Sequence, residues 1–268
     1  MNVLIVVNDF WDKHISRATV LAAKADGTSE LLTFYGHLLG AQKHVYELLS
    51  GSQGHTSGEL EKDLPLLRGA IPAFLQTVKT VGSVILANEA QRWLTADSDE
   101  LDELLLSHWK APTDTQFFAK SLLQPYARWL ADSGTNPVNR DLKPNGETHC
   151  PYCGGNPQVS FLQSREASSE SGNRDLICAL CLSVWSFRRV ICAKCEEERP
   201  AKLGYFHTPD YDHIRIEACD TCKHYIKGVD LTRVGFAVPL VDEVAAAPLD
   251  LWAQEHGYTK IELNLVGL

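Results

Sequence analysis

The sequence predicts an α+β chain: an all-α N-terminal helical bundle, two tandem metal-binding β modules and a C-terminal helix. Three observations carry that prediction. Helical periodicity runs from about residue 14 to 131, all eight cysteines fall as four Cys-x-x-C pairs between 150 and 222, and helical spacing returns in VDEVAAAPLDLWAQEHGY (241–258). At 268 residues and 44% hydrophobic composition, the chain is long enough to bury a substantial core.

The helical half is justified segment by segment. KHISRATVLAAKAD places Ile15, Ala18, Val20, Leu21 and Ala22 on one face, and SELLTFYGHLLGAQKHVYELL sets Leu31, Phe34, Tyr35, Leu38, Val45 and Leu49 near 3.6-residue spacing, as one long amphipathic helix. Capping-box spacing recurs in TSGE (56–59), at Asp97 with Glu100, and in TDTQ (113–116). Pro65 and Pro72 punctuate the region between, with Pro72 in the first turn of a helix through IPAFLQTVKTVGSVIL (71–86). Helices at 97–110 and 115–131, rich in Leu, Phe and Trp, complete the bundle. The stretch 132–149, DSGTNPVNRDLKPNGETH, then breaks every periodicity and is expected as a linker. Beyond it, QVSFLQ, LGYFHT and HIRIEA alternate as strands do. The expected division is a helical domain 1–131, a linker 132–149, modules 150–191 and 192–235, and a tail 236–268.

The cysteine separations assign the modules. Cys150 to Cys192 and Cys153 to Cys195 are each 42 positions apart, and Cys178 to Cys219 and Cys181 to Cys222 are each 41, so the region is a tandem repeat. In each copy two knuckles flank a stretch able to form a β-hairpin, the zinc-ribbon and rubredoxin arrangement. The economical ligand sets are Cys150, Cys153, Cys178 and Cys181 for one ion, and Cys192, Cys195, Cys219 and Cys222 for a second. Two other arrangements also fit: sharing of 178/181 with 192/195, which leaves 150/153 to meet 219/222, and interleaved cross-brace pairings. A Cys-x-x-C turn points two thiolates at one metal and backbone N–H groups at the sulfurs; four thiolates close a tetrahedron and leave no open position for substrate, which makes the sites structural rather than catalytic. Iron and zinc both suit such a shell. Gly154 follows the second cysteine of CPYCGG and accepts positive φ, whereas Leu182, Glu196 and Lys223 stand at the equivalent places of the other knuckles.

Composition excludes several functions. The net charge is −9, and no segment has a basic excess: residues 1–148 carry 13 Lys+Arg against 18 Asp+Glu, 149–235 carry 11 against 11, and 236–268 carry 1 against 5. Nucleic-acid binding is thereby disfavoured. No run approaches the roughly 18 apolar residues of a membrane span, and MNVLIVVNDFWDK lacks a basic leader; no membrane insertion and a cytoplasmic location are expected. That location also argues against disulfides, and dithiol redox motifs occur singly at a helix start rather than as four repeated pairs. No phosphate loop, Ser/His/Asp order or paired-carboxylate signature is present, so no catalytic residue is assigned. His149 adjoins Cys150, but His207, His213 and His224 lack helical metal spacing. In VWSFRRV, Trp185, Phe187 and Arg189 fall on one side of a strand; Trp185 and Arg189 are the candidates for a partner surface, and QSREASSESGNRD (163–175) for a hairpin tip.

Taken together, ISRATVLAAK, ELLTFYGHLLGAQ, CPYCGGNP, CLSVWSFRRVIC, EACDTCKHYIK and LDLWAQEHGY resemble the formate dehydrogenase accessory protein FdhE family nearly end to end. Val184, where relatives often carry an acidic residue, and the long 163–175 stretch depart from that pattern. The resemblance implies a helical domain followed by two rubredoxin-like modules, two iron or zinc ions, no enzyme activity, and a cytoplasmic role in producing active formate dehydrogenase by contact with its catalytic subunit. A rubredoxin-like electron carrier is the alternative.

Overall fold

Helical structure begins well before residue 14: α1 spans Val3–Ala22. The computed structural model describes residues 3–24, 27–51, 56–137, 147–164 and 173–268. Most of the expected linker (138–146) and the tip of the expected hairpin (165–172) lie outside them. The Ser29 hydroxyl donates to the Ala22 carbonyl at 2.8 Å and ties α1 to α2 (Ser29–Gly51), whose buried face carries Tyr35, Leu38, Val45 and Leu49 and packs on α1. Leu31 and Phe34 of the expected face are only partly buried.

Capping differs from the sequence pattern at two of three places. Asp97 caps α6 (Ser98–Lys110), accepting from the Asp99 and Glu100 amides at 3.0 and 2.9 Å. At 56–59 no box forms. Buried Asp63 of α3 (Leu60–Arg68) instead accepts from the Thr56 hydroxyl at 2.8 Å, the Ser57 amide at 3.0 Å and the Tyr126 hydroxyl at 2.8 Å. Gln116, which precedes α7 (Phe117–Asp132), makes no cap; its side-chain oxygen meets His108 Nδ1 at 2.9 Å. Pro65 sits inside α3 rather than between helices. Pro72 does start α4 (Ile71–Val81), but the helix stops at Gly82, where a Cβ would stand 2.6 Å from the Val78 carbonyl oxygen, and Ser83 caps a separate α5 (Val84–Thr95). The 71–86 segment is therefore two helices, because an N-capping serine competes with helix continuation.

The cysteine half forms one sheet. Strands β1 (Pro157–Gln163), β2 (Asn173–Cys178) and β3 (Val184–Phe187) come from the first repeat, and β4 (Leu203–His207), β5 (Ile214–Cys219) and β6 (His224–Asp230) from the second. Each trio is antiparallel, and β1 pairs with β6 in parallel from Val159↔Lys227 to Leu162↔Asp230, giving the order β3-β2-β1-β6-β5-β4. The tail supplies two short helices, α8 (Pro239–Ala245) and α9 (Ala247–Glu255), and β7 (Thr259–Lys260), which pairs with β6.

Alternation along the strands gives the sheet two apolar faces. Val159, Phe161, Ile177, Ile214, Ile216 and Val229 join the helical core, whereas Leu176 and Ile226 face a smaller cluster with Phe187, Ile191 and Ala193. On that second face Arg174 (β2) donates to Glu217 (β5) at 2.5 Å across the junction of the repeats, and Glu217 also accepts from Ser160 at 3.1 Å and Arg215 at 2.7 Å. Gly228 leaves room for it: a Cβ there would lie 2.6 Å from Glu217 Oε1 and would displace the carboxylate from these partners. On the helix side, Lys227 and Lys260 pair with Glu243 (2.9 Å each) and Asp250, all four side chains being fully buried. Two cations against two anions leave no net buried charge; burial opposes ionisation of Glu243, yet the two lysines hold its carboxyl down at about 2.

Candidate metal centres

Each cluster is assembled from two chain turns that the β-hairpins bring together. In the first, the β1–β2 hairpin returns Cys178 and Cys181 to Cys150 and Cys153; in the second, β4 and β5 return Cys219 and Cys222 to Cys192 and Cys195. The four sulfurs of each set lie within 4.8 Å of one another. The structure thus gathers the sulfurs into the two economical sets, and not into the shared or cross-braced ones.

The knuckles repeat one local geometry. The residue following the second cysteine donates its amide to the carbonyl of the first in three of them: Gly154 to Cys150 at 2.9 Å, Glu196 to Cys192 at 3.1 Å and Lys223 to Cys219 at 2.8 Å. Gly154 has φ +70°, and the non-glycine residues with positive φ among the described residues are Leu182 (57°), Glu196 (59°) and Lys223 (57°), the same place in the other three knuckles. A side chain in this region costs roughly 1–2 kcal/mol, and the turn that aims both thiols at one point imposes it. Backbone amides also face the sulfurs: Leu180 N donates to Cys178 Sγ and Lys194 N to Cys192 Sγ, both at 3.3 Å. Gly155 permits close approach, since a Cβ there would stand 3.0 Å from Cys178 Sγ.

The donor set fits a tetrahedral ion. Metal–sulfur bonds of about 2.3 Å place thiolates about 3.8 Å apart on the edges of a tetrahedron. Cys150 and Cys181 are 3.5 Å apart, Cys153 and Cys178 3.4 Å, and both Cys192–Cys222 and Cys195–Cys219 3.7 Å. Burial pushes the Cys178 thiol up, and the Cys192 thiol up to about 11. Four thiols crowded this closely need a cation if all are to ionise together, because each thiolate opposes the ionisation of its neighbours. Each cluster could therefore hold one metal ion, and a soft Cys₄ shell accepts iron or zinc alike.

The two clusters differ in their surroundings. All four cysteines of the first are buried and belong to the main core; Gln124 and Arg128 of α7 donate to the Ala179 and Leu182 carbonyls of its second knuckle at 2.8 and 3.2 Å. In the second, Cys195 is exposed and Cys222 half-buried. Its first knuckle is held from the neighbouring repeat: Arg174 donates to the Arg188 and Ile191 carbonyls at 3.0 Å, just before Cys192. Sequence reasoning missed this arginine, because nothing local links residue 174 to a knuckle it reaches only through the folded sheet. The histidines lie outside both clusters: His149 Nδ1 meets the Thr148 hydroxyl, His224 Nδ1 the Cys222 carbonyl and His213 the Asp242 carboxylate. Neither Trp185 nor Arg189 belongs to either cluster. Trp185 is half-buried, with its indole N–H donating to the Glu147 carbonyl at 2.9 Å, and Arg189 is exposed just past β3.

Residues 149–189 match the family model of the FdhE central domain and residues 190–266 that of the FdhE C-terminal domain. An FdhE homologue of Aquifex aeolicus is 29% identical across 94% of both chains, and one of Pseudomonas aeruginosa is 30% identical over 56% of this chain and 48% of its own length. The crystal structure of the FdhE protein from Pseudomonas aeruginosa shares the fold, with a TM-score of 0.68 at 21% identity over 96% of this chain and 95% of that one.

Proposed function

We propose, from the premise that the chain belongs to the FdhE family, that it is a non-enzymatic accessory protein for formate dehydrogenase which binds the enzyme's catalytic subunit in the cytoplasm during maturation. The observation that carries this reading is the pairing of that family match with two closed four-thiol clusters. Such shells have no open coordination position, so they build a surface rather than turn over a substrate. The eight cysteines are proposed to ligate two ions, iron or zinc, one to each cluster. In this reading Arg189, exposed on the connector into the second cluster, lies on the partner surface together with the visible edge of Trp185.

The test has two arms. The purified chain should capture the catalytic subunit of its host's formate dehydrogenase, and deletion of its gene should abolish formate oxidation while the subunit is still made. Normal formate oxidation in the deletion strain would end the proposal. One observation favours a second reading: exposed Cys195 brings the second cluster to the surface, where a bound iron could exchange electrons with a partner as a rubredoxin does. Reversible one-electron reduction of the iron-loaded protein at a rate matching formate turnover would favour the carrier over the scaffold.

A further inference from the structure

The two ends of the sheet are not alike. β3 at one end is four residues long, and the arginine that follows it, Arg188, is paired with Glu147 and Glu198. At the other end β4 is five residues long, pairs with β5 without a register break from Leu203↔Cys219 to His207↔Arg215, and carries neither lysine, proline nor bulge. Among the described residues no strand pairs with its outer side; the Leu203 amide at its start turns back to the Pro200 carbonyl, and beyond it residues 204–207 make no backbone hydrogen bond outside the sheet. Exposed edges of this kind are normally blunted by charge, proline or a bulge, because a row of unpaired N–H and C=O groups is a template for another strand. Here the edge is lined with aromatics instead: Tyr205 is 42% and Phe206 37% exposed. Phe206 packs its ring 4.8 Å from Trp252 and 6.5 Å from Tyr258, forming a shelf beside the edge on the helix side of the sheet.

We infer that β4 is a strand-addition site: an extended segment of the client, with apolar or aromatic side chains at alternate positions, pairs with Leu203–His207 as an eighth strand. Main-chain bonds to the open edge supply affinity, and the shelf of Phe206, Trp252 and Tyr258 selects the side chain placed over it. The site is continuous with the surface proposed above, since the Tyr205 hydroxyl donates to the Arg189 carbonyl at 3.4 Å. It also adjoins the exposed cluster, because Leu203 is in register with the ligand Cys219. The inference rests on the accessory-protein reading and says where the client sits.

The experiment uses the full metal-loaded chain with the catalytic subunit of formate dehydrogenase. Amide hydrogen exchange of residues 204–207 should slow at least about tenfold in the complex, at alternate positions, while residues 184–187 of β3 stay unchanged. Successive amides of a strand point to opposite sides, so of Tyr205→Pro and Phe206→Pro one removes only an outward N–H; that variant should keep its metal and fold and lose capture at least about tenfold. A complex that forms without protecting β4, or a folded proline variant that captures the subunit as well as the parent chain, overturns this placement and leaves the accessory reading standing. Failure of the parent chain to capture the subunit removes both. Protection that appears in the chain alone and rises with its concentration assigns the edge to a second copy and also overturns the inference.

Discussion

The first cysteine cluster lies in the core that the helices and the sheet share, whereas the second, built by the same repeat, lies at the surface with one cysteine exposed. Their knuckles have the same backbone geometry and their sulfurs nearly the same spacing. What separates them is what folds against them. Gln124 and Arg128 of α7 close over the first, and Gln124 continues through Gln42 into the helical core, the Gln42 amide donating to it at 2.9 Å. The second meets solvent on one side, and on the other an arginine of its neighbour. The lesson is that a metal module's coordination is local, but its energetic weight in the whole chain is set by the surfaces it buries.

The comparison breaks most visibly at the ligands themselves. Cys178→Ser should remove the first ion and with it binding energy of roughly 10–16 kcal/mol that is folding energy in such modules, and should loosen the helical core with it. Cys195→Ser should cost the second ion and leave the bundle's melting transition in place. Metal-to-protein ratios and thermal unfolding of both variants check this, and equal loss of the helical transition in the two would show that burial does not distinguish them.

A smaller effect sharpens the dependence of the second cluster on the first repeat. Arg174→Met should destabilise the chain by about 3 kcal/mol, because breaking a buried pair leaves Glu217 partly uncompensated. It also frees the Arg188 and Ile191 carbonyls, so a chelator should strip the second ion faster while release of the first is unchanged. Denaturant midpoints and release kinetics read the two consequences separately; an unaltered release of the second ion would mean that the junction does not hold its knuckle.

The smallest expected effect has the opposite sign. Glu196 is exposed and held at φ +59°, so Glu196→Gly should relieve backbone strain and stabilise the second module by up to about 1 kcal/mol. Slower chelator release from that site is the measurement, and faster release would show that the turn is not strained there.

Much of this molecule was legible before any tertiary structure. The long helix at 29–51, the Asp97 cap, the proline at the start of α4 and the division of eight thiols into two sets all follow from spacing within a few dozen residues, where side chains interact through the helix or hairpin that carries them. The misreadings were also local. Gly82 with Ser83 ended a helix that periodicity carried through, and Thr56 and Ser57 turned to Asp63 rather than to the expected helix start.

By itself, the sequence determined the class of the fold and the grouping of the eight cysteines into two sets, because a 42/41-residue repeat acts through covalent spacing. Only the tertiary structure decided that the two repeats fuse through β1 and β6 into one sheet, that Lys227 and Lys260 are neutralised inside it by Glu243 and Asp250, and that one cluster is shielded while the other is open. Those outcomes depend on which faces meet across long separations. Strand pairing and burial of charge are cooperative over the whole core, and no window along the chain contains both partners.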